Sequence, residues 1–143
     1  MIHIGWTGTQ LGMTDAQKLN AYGLMLELFA TDLHHGDAIG ADDQADQIAR
    51  DLGIRRHLHI PLNGSRRARC IAREGFDVVY APLPYLERNK AIVDASEALI
   101  AAPKEMHETL RSGTWATVRY ARRQGKPVHI LWPDGSLSEE ARR

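Results

Sequence analysis

Three short runs in the chain combine glycine with hydroxyl or acidic residues: Thr7-Gly8-Thr9, Gly36-Asp37-Ala38-Ile39-Gly40-Ala41-Asp42 and Ser112-Gly113-Thr114. Glycine admits a close backbone approach or a positive φ, and a neighbouring hydroxyl adds a donor for phosphate. Arg88-Asn89 contributes a guanidinium able to grip phosphate bidentately and an amide able to bond a sugar or a backbone group. Alternatively, Arg88 pairs with a nearby carboxylate. Asp37 and Asp42 are the carboxylates best placed to act on a sugar, where either would stabilise an oxocarbenium-like cation. Their structural alternatives are a turn bond and a favourable charge at a helix N-terminus. Each glycine run alone also reads as an ordinary tight turn; together the four segments point to an anionic ligand. The sequence contains neither GxxxxGK[ST] nor GxGxxG, so it carries no P-loop and no dinucleotide-binding fingerprint.

A second set of residues lies on the helix expected after Ser112. At about 100° per residue, Trp115, Arg119 and Arg122 share one stripe, which Arg111 and Lys126 extend, while Thr117, Tyr120 and Ala121 lie toward the opposite face. An aromatic inside a basic stripe can stack on bases and contact phosphates of single-stranded nucleic acid. The alternative is a solvated face on which Trp115 is covered by arginine stems or by a second subunit, a homodimer. The seven histidines include His34-His35 and His57-x-His59 but no HExxH and no cysteine pair, and no metal or cofactor is expected. His57 and His59, alternate residues of a strand, are the pair that could chelate together. Cys70 stands without a local catalytic signature.

Bringing these segments together requires a frame that returns its loops to one edge. Short β-like runs alternate with helical patterns, the order that an α/β three-layer, Rossmann-like open sheet, mostly parallel, requires. Strands are expected at Ile2 to Thr7, Leu33 to His35, Ile54 to Ile60, Asp77 to Tyr80, Glu97 to Ala102 and Pro127 to Trp132. Helices are expected from the Thr14 cap to about Ala30, over Ala41 to Leu52, from Tyr85 to Ala95 and from Gly113 to about Gln124, with a short rim helix in 63–75. Thr14 and Gln17 have capping-box spacing. The mixed polarity of Ile54 to Ile60 predicts an edge strand with His57 and His59 pointing away from the core. In such a sheet the turns at the carboxyl ends of the strands line a crevice into which helix N-termini point unpaired N–H groups.

The string HHGDAIGADDQADQIARDLG, followed by PLPYLERNKAIVDASEALIAAP and SGTWATVRYARRQGKPVHI, resembles the SLOG superfamily of Rossmann-like domains across about residues 2–132. That superfamily includes the DNA-processing protein DprA/Smf and the LOG nucleotide phosphoribohydrolases. The resemblance implies a nucleotide or nucleotide-derived ligand held by Thr7, Gly8, Gly36, Gly40, Asp42, Arg88, Asn89, Ser112, Gly113 and Thr114, with Thr9 and Asp37 beside them. LOG enzymes carry PGGxGTxxE with a glutamate that serves N-glycosidic cleavage; here Thr117 stands at that position, which favours binding over turnover. Two other readings remain: a nucleoside monophosphate N-glycosidase using Asp37 or Asp42, and a DprA-like module for single-stranded DNA.

Composition bounds the rest. A chain of 143 residues, 43% apolar and 25% charged, is the size and make-up of one globular domain. The domain is expected over 1–133, with a polar tail over 134–143 in which Ser138 to Arg143 frays. No apolar run approaches the ~20 residues needed to cross a bilayer, and Met1 opens directly onto Ile2 to Ile4, so a cytoplasmic protein without membrane contact is expected. One cysteine leaves no intrachain disulfide, in keeping with a reducing compartment. With 18 basic and 18 acidic residues, the chain lacks the bulk charge to coat nucleic acid, which leaves only a local patch for that role.

Overall fold

The structure is a computed structural model that describes residues 1–141. The strands are β1 (His3–Gly8), β2 (Asp32–His35), β3 (Arg55–Leu58), β4 (Val78–Val79), β5 (Ala98–Ala102), β6 (Val128–Leu131) and β7 (Leu137–Glu140). The α-helices are α1 (Asp15–Glu27), α2 (Ala41–Asp51), α3 (Tyr85–Asp94) and α4 (Gly113–Arg123). Among the described residues the chain is a single-domain α/β protein with one seven-stranded sheet, ordered β4-β3-β2-β1-β5-β6-β7. All neighbours pair in parallel except β6 with β7. The chain runs outward from β1 to β4, then crosses back to β5 on the other side of β1. That reversal makes the carboxyl ends of β1 and β5 the topological switch point.

Alternation along the central strands divides the core between two faces. Ile4, Trp6, Leu33, Ile100 and Ala102 bury against Ala21, Leu24 and Met25 of α1 and Ala41, Ala45 and Ala49 of α2. Leu99, Ala101, Val128 and Ile130 bury against Val93 of α3 and Trp115, Val118 and Ala121 of α4. The helix ends follow from the sequence. Thr14 Oγ1 accepts the Gln17 N–H at 3.1 Å while Gln17 Oε1 accepts the Thr14 N–H at 2.9 Å, a complete capping box. Gln17 Nε2 also donates to the carbonyls of Pro103 and Leu131, both at 2.8 Å, tying α1 to the ends of β5 and β6.

Three expectations are corrected. The strand around His57 is not at an edge: β4 pairs outside β3, and His57 and His59 are only 6% and 4% exposed. The Tyr80 ring covers them, lying 4.2 Å from His59 and nearly parallel to it. Burial pushes His34 down to about 2 and His59 to about 3, so this face carries uncharged imidazoles. In 63–75 the only helical turn is a 3₁₀ turn at Gly64–Arg66. The polar tail does not fray through its length: Leu137–Glu140 forms β7, held by Arg122 on Glu140 at 2.6 and 2.7 Å and by Trp132 Nε1 on Ser138 Oγ at 2.7 Å. The end of the tail, 142–143, lies outside the described residues.

Candidate functional site

A cleft of about 440 Å³ opens at the switch point, between the turn after β1, the loop after β2, the N-terminus of α3 and the loop leading from β5 into α4. Ten of the residues singled out in the sequence line it: Thr7, Gly8, Thr9, Gly36, Asp42, Arg88, Asn89, Ser112, Gly113 and Thr114. Local chemistry explains their placement. Thr9 Oγ1 accepts the Leu11 N–H and closes the turn after β1. Ser112 caps α4 by accepting the Trp115 N–H at 3.3 Å. No hydrogen bond within the described residues takes the N–H groups of Gly113 and Thr114, which leaves the positive end of α4 free at the cleft.

Arg88 is 4% exposed and organises the centre of the site. Its Nη1 donates to the Gly36 and His59 carbonyls, and its Nε donates to Asn89 Oδ1 at 2.8 Å. Asn89 therefore orients the guanidinium. Among the described residues Nη2 has no hydrogen-bond partner, and it is the edge left for a ligand. Glycine is required opposite, because a Cβ on Gly36 would collide with this guanidinium. Gly113 has the same role against Tyr85, whose hydroxyl occupies the place a Cβ would take and whose ring lies 4.9 Å from the Arg88 guanidinium carbon.

Asp42 lines the cleft, and its Oδ2 accepts the N–H groups of Gly36 and Ala38 at 3.1 and 3.2 Å. Burial raises its carboxyl above the usual range, against the lowering effect of His35, Arg88 and those two N–H groups. Asp37 and Gly40 do not line the cleft. Asp37, fully buried at φ +55°, accepts from Arg67 Nε at 2.7 Å and from the Cys70 N–H at 2.8 Å, so its carboxylate pins the 64–70 segment instead. Gly40 turns the chain into α2 at φ +85°, where its Cα packs on the backbone of Gln10. Thr117 is buried on α4 with its hydroxyl donating to the Gly113 carbonyl at 2.9 Å.

The basic stripe on α4 is largely occupied by contacts within the protein. Trp115 is 1% exposed, its ring tilted by 38° against that of Trp132 at 5.7 Å, with the Arg122 guanidinium 6.0 Å over it. Arg119 pairs with Glu108 at 3.1 Å, Arg122 pairs with both Glu108 and Glu140, and Lys126 donates to the Ser96 carbonyl. Only Arg111 of that set faces the cleft. Sequence reasoning missed Gln10, Arg66, Tyr85, Lys104 and Glu105, which also line it. No spacing marks them, because Gln10, Lys104 and Glu105 come from irregular segments, and the approach of the 3₁₀ turn with Arg66 and of the first residue of α3, Tyr85, to the cleft depends on tertiary contacts. A contiguous apolar slot of about 400 Å³ continues from Arg88, Tyr85 and Arg66 toward Pro61, Leu62 and Pro84.

No protein-family model matches the chain, and no curated protein sequence does. Solved structures do. A molybdenum cofactor binding protein from the phototrophic bacterium Rippkaea orientalis is 25% identical, with 92% of this chain and 76% of that one covered at a TM-score of 0.66. The Moco carrier protein from Chlamydomonas reinhardtii is 22% identical over 91% of this chain and 75% of its own, at 0.63. DNA processing protein A from Helicobacter pylori, described with a single-stranded DNA binding mode, is 19% identical; 91% of this chain covers 65% of that one at 0.63. The chain therefore has an SLOG-type Rossmann-like fold, the class to which its sequence motifs pointed.

Proposed function

We propose that the protein binds a phosphorylated nucleotide or nucleotide-derived small molecule in the cleft at the switch point. The observation that carries this reading is the set of unpaired donors converging there. Among the described residues, Arg66, Arg88, Lys104 and Arg111 have no carboxylate partner, and the first N–H groups of α4 have no acceptor. Arg88 is a buried cation without a counter-ion, and the exposed Arg66, Lys104 and Arg111 stand around it, an arrangement that favours an anion. The apolar slot beside Tyr85 offers a flat heterocycle a place next to its phosphate. The ligands named for the neighbours, a molybdenum cofactor and single-stranded DNA, both place phosphate beside flat rings, and they support this class without selecting within it.

The test combines mass spectrometry of any small molecule that co-purifies with a thermal-shift screen of mono-, di- and cyclic nucleotides, ADP-ribose and the molybdenum cofactor. A ligand that binds only the folded state raises its melting temperature. A specific rise that disappears in Arg88→Ala and Thr114→Val supports the cleft; no rise with any member overturns the reading. A second reading, cleavage of an N-glycosidic bond, draws on Asp42, a carboxyl in the cleft whose raised pKa suits a proton donor. Release of free base from a nucleotide, lost in Asp42→Asn, establishes it; no release at high protein concentration removes it.

A further inference from the structure

The opposite, amino end of the sheet holds a second cluster that the cleft does not use. His3 and Asp32 open β1 and β2, and His34 and His57 sit side by side in register on β2 and β3. Their side chains share the face of the sheet opposite Leu33 and Arg56. His3, His34 and His57 can each offer a ring nitrogen, and the three nitrogens lie within 4.8 Å of one another. Asp32 adds a carboxylate 2.7 Å from His57 Nε2 and 3.7 Å from His3 Nε2. Four ligands at metal–ligand lengths of about 2.0–2.1 Å around a tetrahedral ion stand roughly 3.3 Å apart, a spacing these two separations bracket.

We propose that His3, His34, His57 and Asp32 form a binding site for one divalent transition-metal ion of the zinc type. Imidazole and carboxylate are the donors such ions take. The surrounding hydrogen bonds have the arrangement that orients ligating histidines through their other ring nitrogen. His57 Nδ1 lies 2.9 Å from the Tyr80 hydroxyl, and His34 Nδ1 lies 2.8 Å from His59 Nε2. Coordination through both Nε2 atoms moves each ring proton onto Nδ1, where Tyr80 or His59 accepts it, so the ion enters without protons leaving the histidines. The ionised Asp32 offsets one of its two charges. His3, with 28% of its side chain exposed, provides the way in.

A second group of donors, His35, Asp46 and Cys70, is as closely spaced but unsuited to a cation. The buried Arg56 guanidinium already holds Asp46 at 2.7 Å, and burial, with Asp46, Asp37 and Asp43 nearby, pushes the Cys70 thiol up and keeps it protonated. Arg55 also approaches Asp32, at 3.8 Å, with its guanidinium 5.1 Å over the Phe76 ring and its side chain 36% exposed, so among the described residues it is the one cation beside the site.

Titration of the full chain with cobalt(II) reads the site directly. One equivalent should produce the visible bands of tetrahedral cobalt, zinc should displace it, and zinc should raise the melting temperature. Tyr80→Phe should weaken binding by about 10- to 100-fold, as loss of an outer partner does, and His3→Gln by more than that. Cys70→Ser should change nothing. His57→Gln should abolish binding; if it does not fold, the partly exposed His3 decides alone. No visible band with no zinc-dependent stabilisation overturns the proposal, as does binding that survives His3→Gln or is lost in Cys70→Ser.

Discussion

Two regions of this molecule are rich in arginine and lysine, and they differ in what those cations already touch. On the outer side of α4, Arg119 and Arg122 are tied to Glu108 and Glu140, and Lys126 is capped by a carbonyl. In the cleft, Arg66, Lys104 and Arg111 line the opening without an ion pair among the described residues, and Arg88 bonds only carbonyls and an amide. The sequence presents both regions as basic. Only the structure separates cations that serve the fold from cations left for a ligand, because the acidic partners come from elsewhere: Glu108 from the loop before α4 and Glu140 from β7.

The contrast makes its strongest demand on Arg88. Arg88→Ala removes two buried bonds to carbonyls and the free edge facing the cleft. Each charged hydrogen bond is worth about 1.5–3 kcal/mol, so nucleotide affinity should fall by roughly 10- to 100-fold, and stability should fall by a comparable energy. Calorimetric titration and chemical denaturation of the same variant check both. Lys104→Ala and Arg111→Ala should lower affinity by up to about tenfold each and flatten its salt dependence, while stability stays within about 0.5 kcal/mol. If these two variants bind as the parent does, the cleft cations are not ligand contacts.

The paired face should behave in the opposite way. Arg119→Ala with Arg122→Ala should leave nucleotide affinity unchanged and cost about 1–2 kcal/mol of stability, since the linked exposed pairs each contribute up to about 1 kcal/mol. Oligonucleotide binding that weakens steeply in this double variant would restore α4 as a nucleic-acid surface. Equal loss of nucleotide affinity in both regions would erase the distinction between them.

Legibility in the sequence followed the range of the interactions. The elements from β1 to β6 and the Thr14 cap were readable because alternation, capping and glycine stops are local signals. Ten cleft residues were readable for a related reason: loops at the carboxyl ends of parallel strands must meet at one edge. Asp37 was misplaced because its partners, Arg67 and Cys70, lie some thirty residues away in a segment without periodicity. For Trp115 two readings stood open, a ring stacking on bases or a ring covered by arginine stems or a second subunit, because helical spacing gives a stripe but not its direction; packing against Trp132 and Val118 turns it inward, beneath Arg122. β7 was hidden by its polarity, since an edge strand of four residues with Glu139 and Glu140 has almost no apolar face to reveal it.

The smallest effect concerns carboxyls, which the two regions shift in opposite directions. Burial raises Asp42 in the cleft, while Arg122 and then Arg119 hold Glu108 below its usual range against slight burial. A raised carboxyl contributes its stability below the unfolded value of about 3.9 and loses it as pH climbs through the folded value. A lowered one contributes above about 4.3 and loses it as pH falls through the folded value. Glu108→Gln should therefore cost a few tenths to about 1 kcal/mol at pH 7 and progressively less as pH falls below about 4.3, discounted for its exposure. Asp42→Asn keeps an acceptor for Gly36 and Ala38 but removes the buried charge, so its melting temperature relative to the parent should rise between pH 4 and pH 7. Relative to the parent, the melting temperature should change for Glu108→Gln below about pH 4.3 and for Asp42→Asn above about pH 3.9, so each variant moves in its own window of pH. Parallel curves would mean that the cleft supplies Asp42 with as much compensating charge as the arginines of α4 supply Glu108, and that its cations are already satisfied by the protein itself.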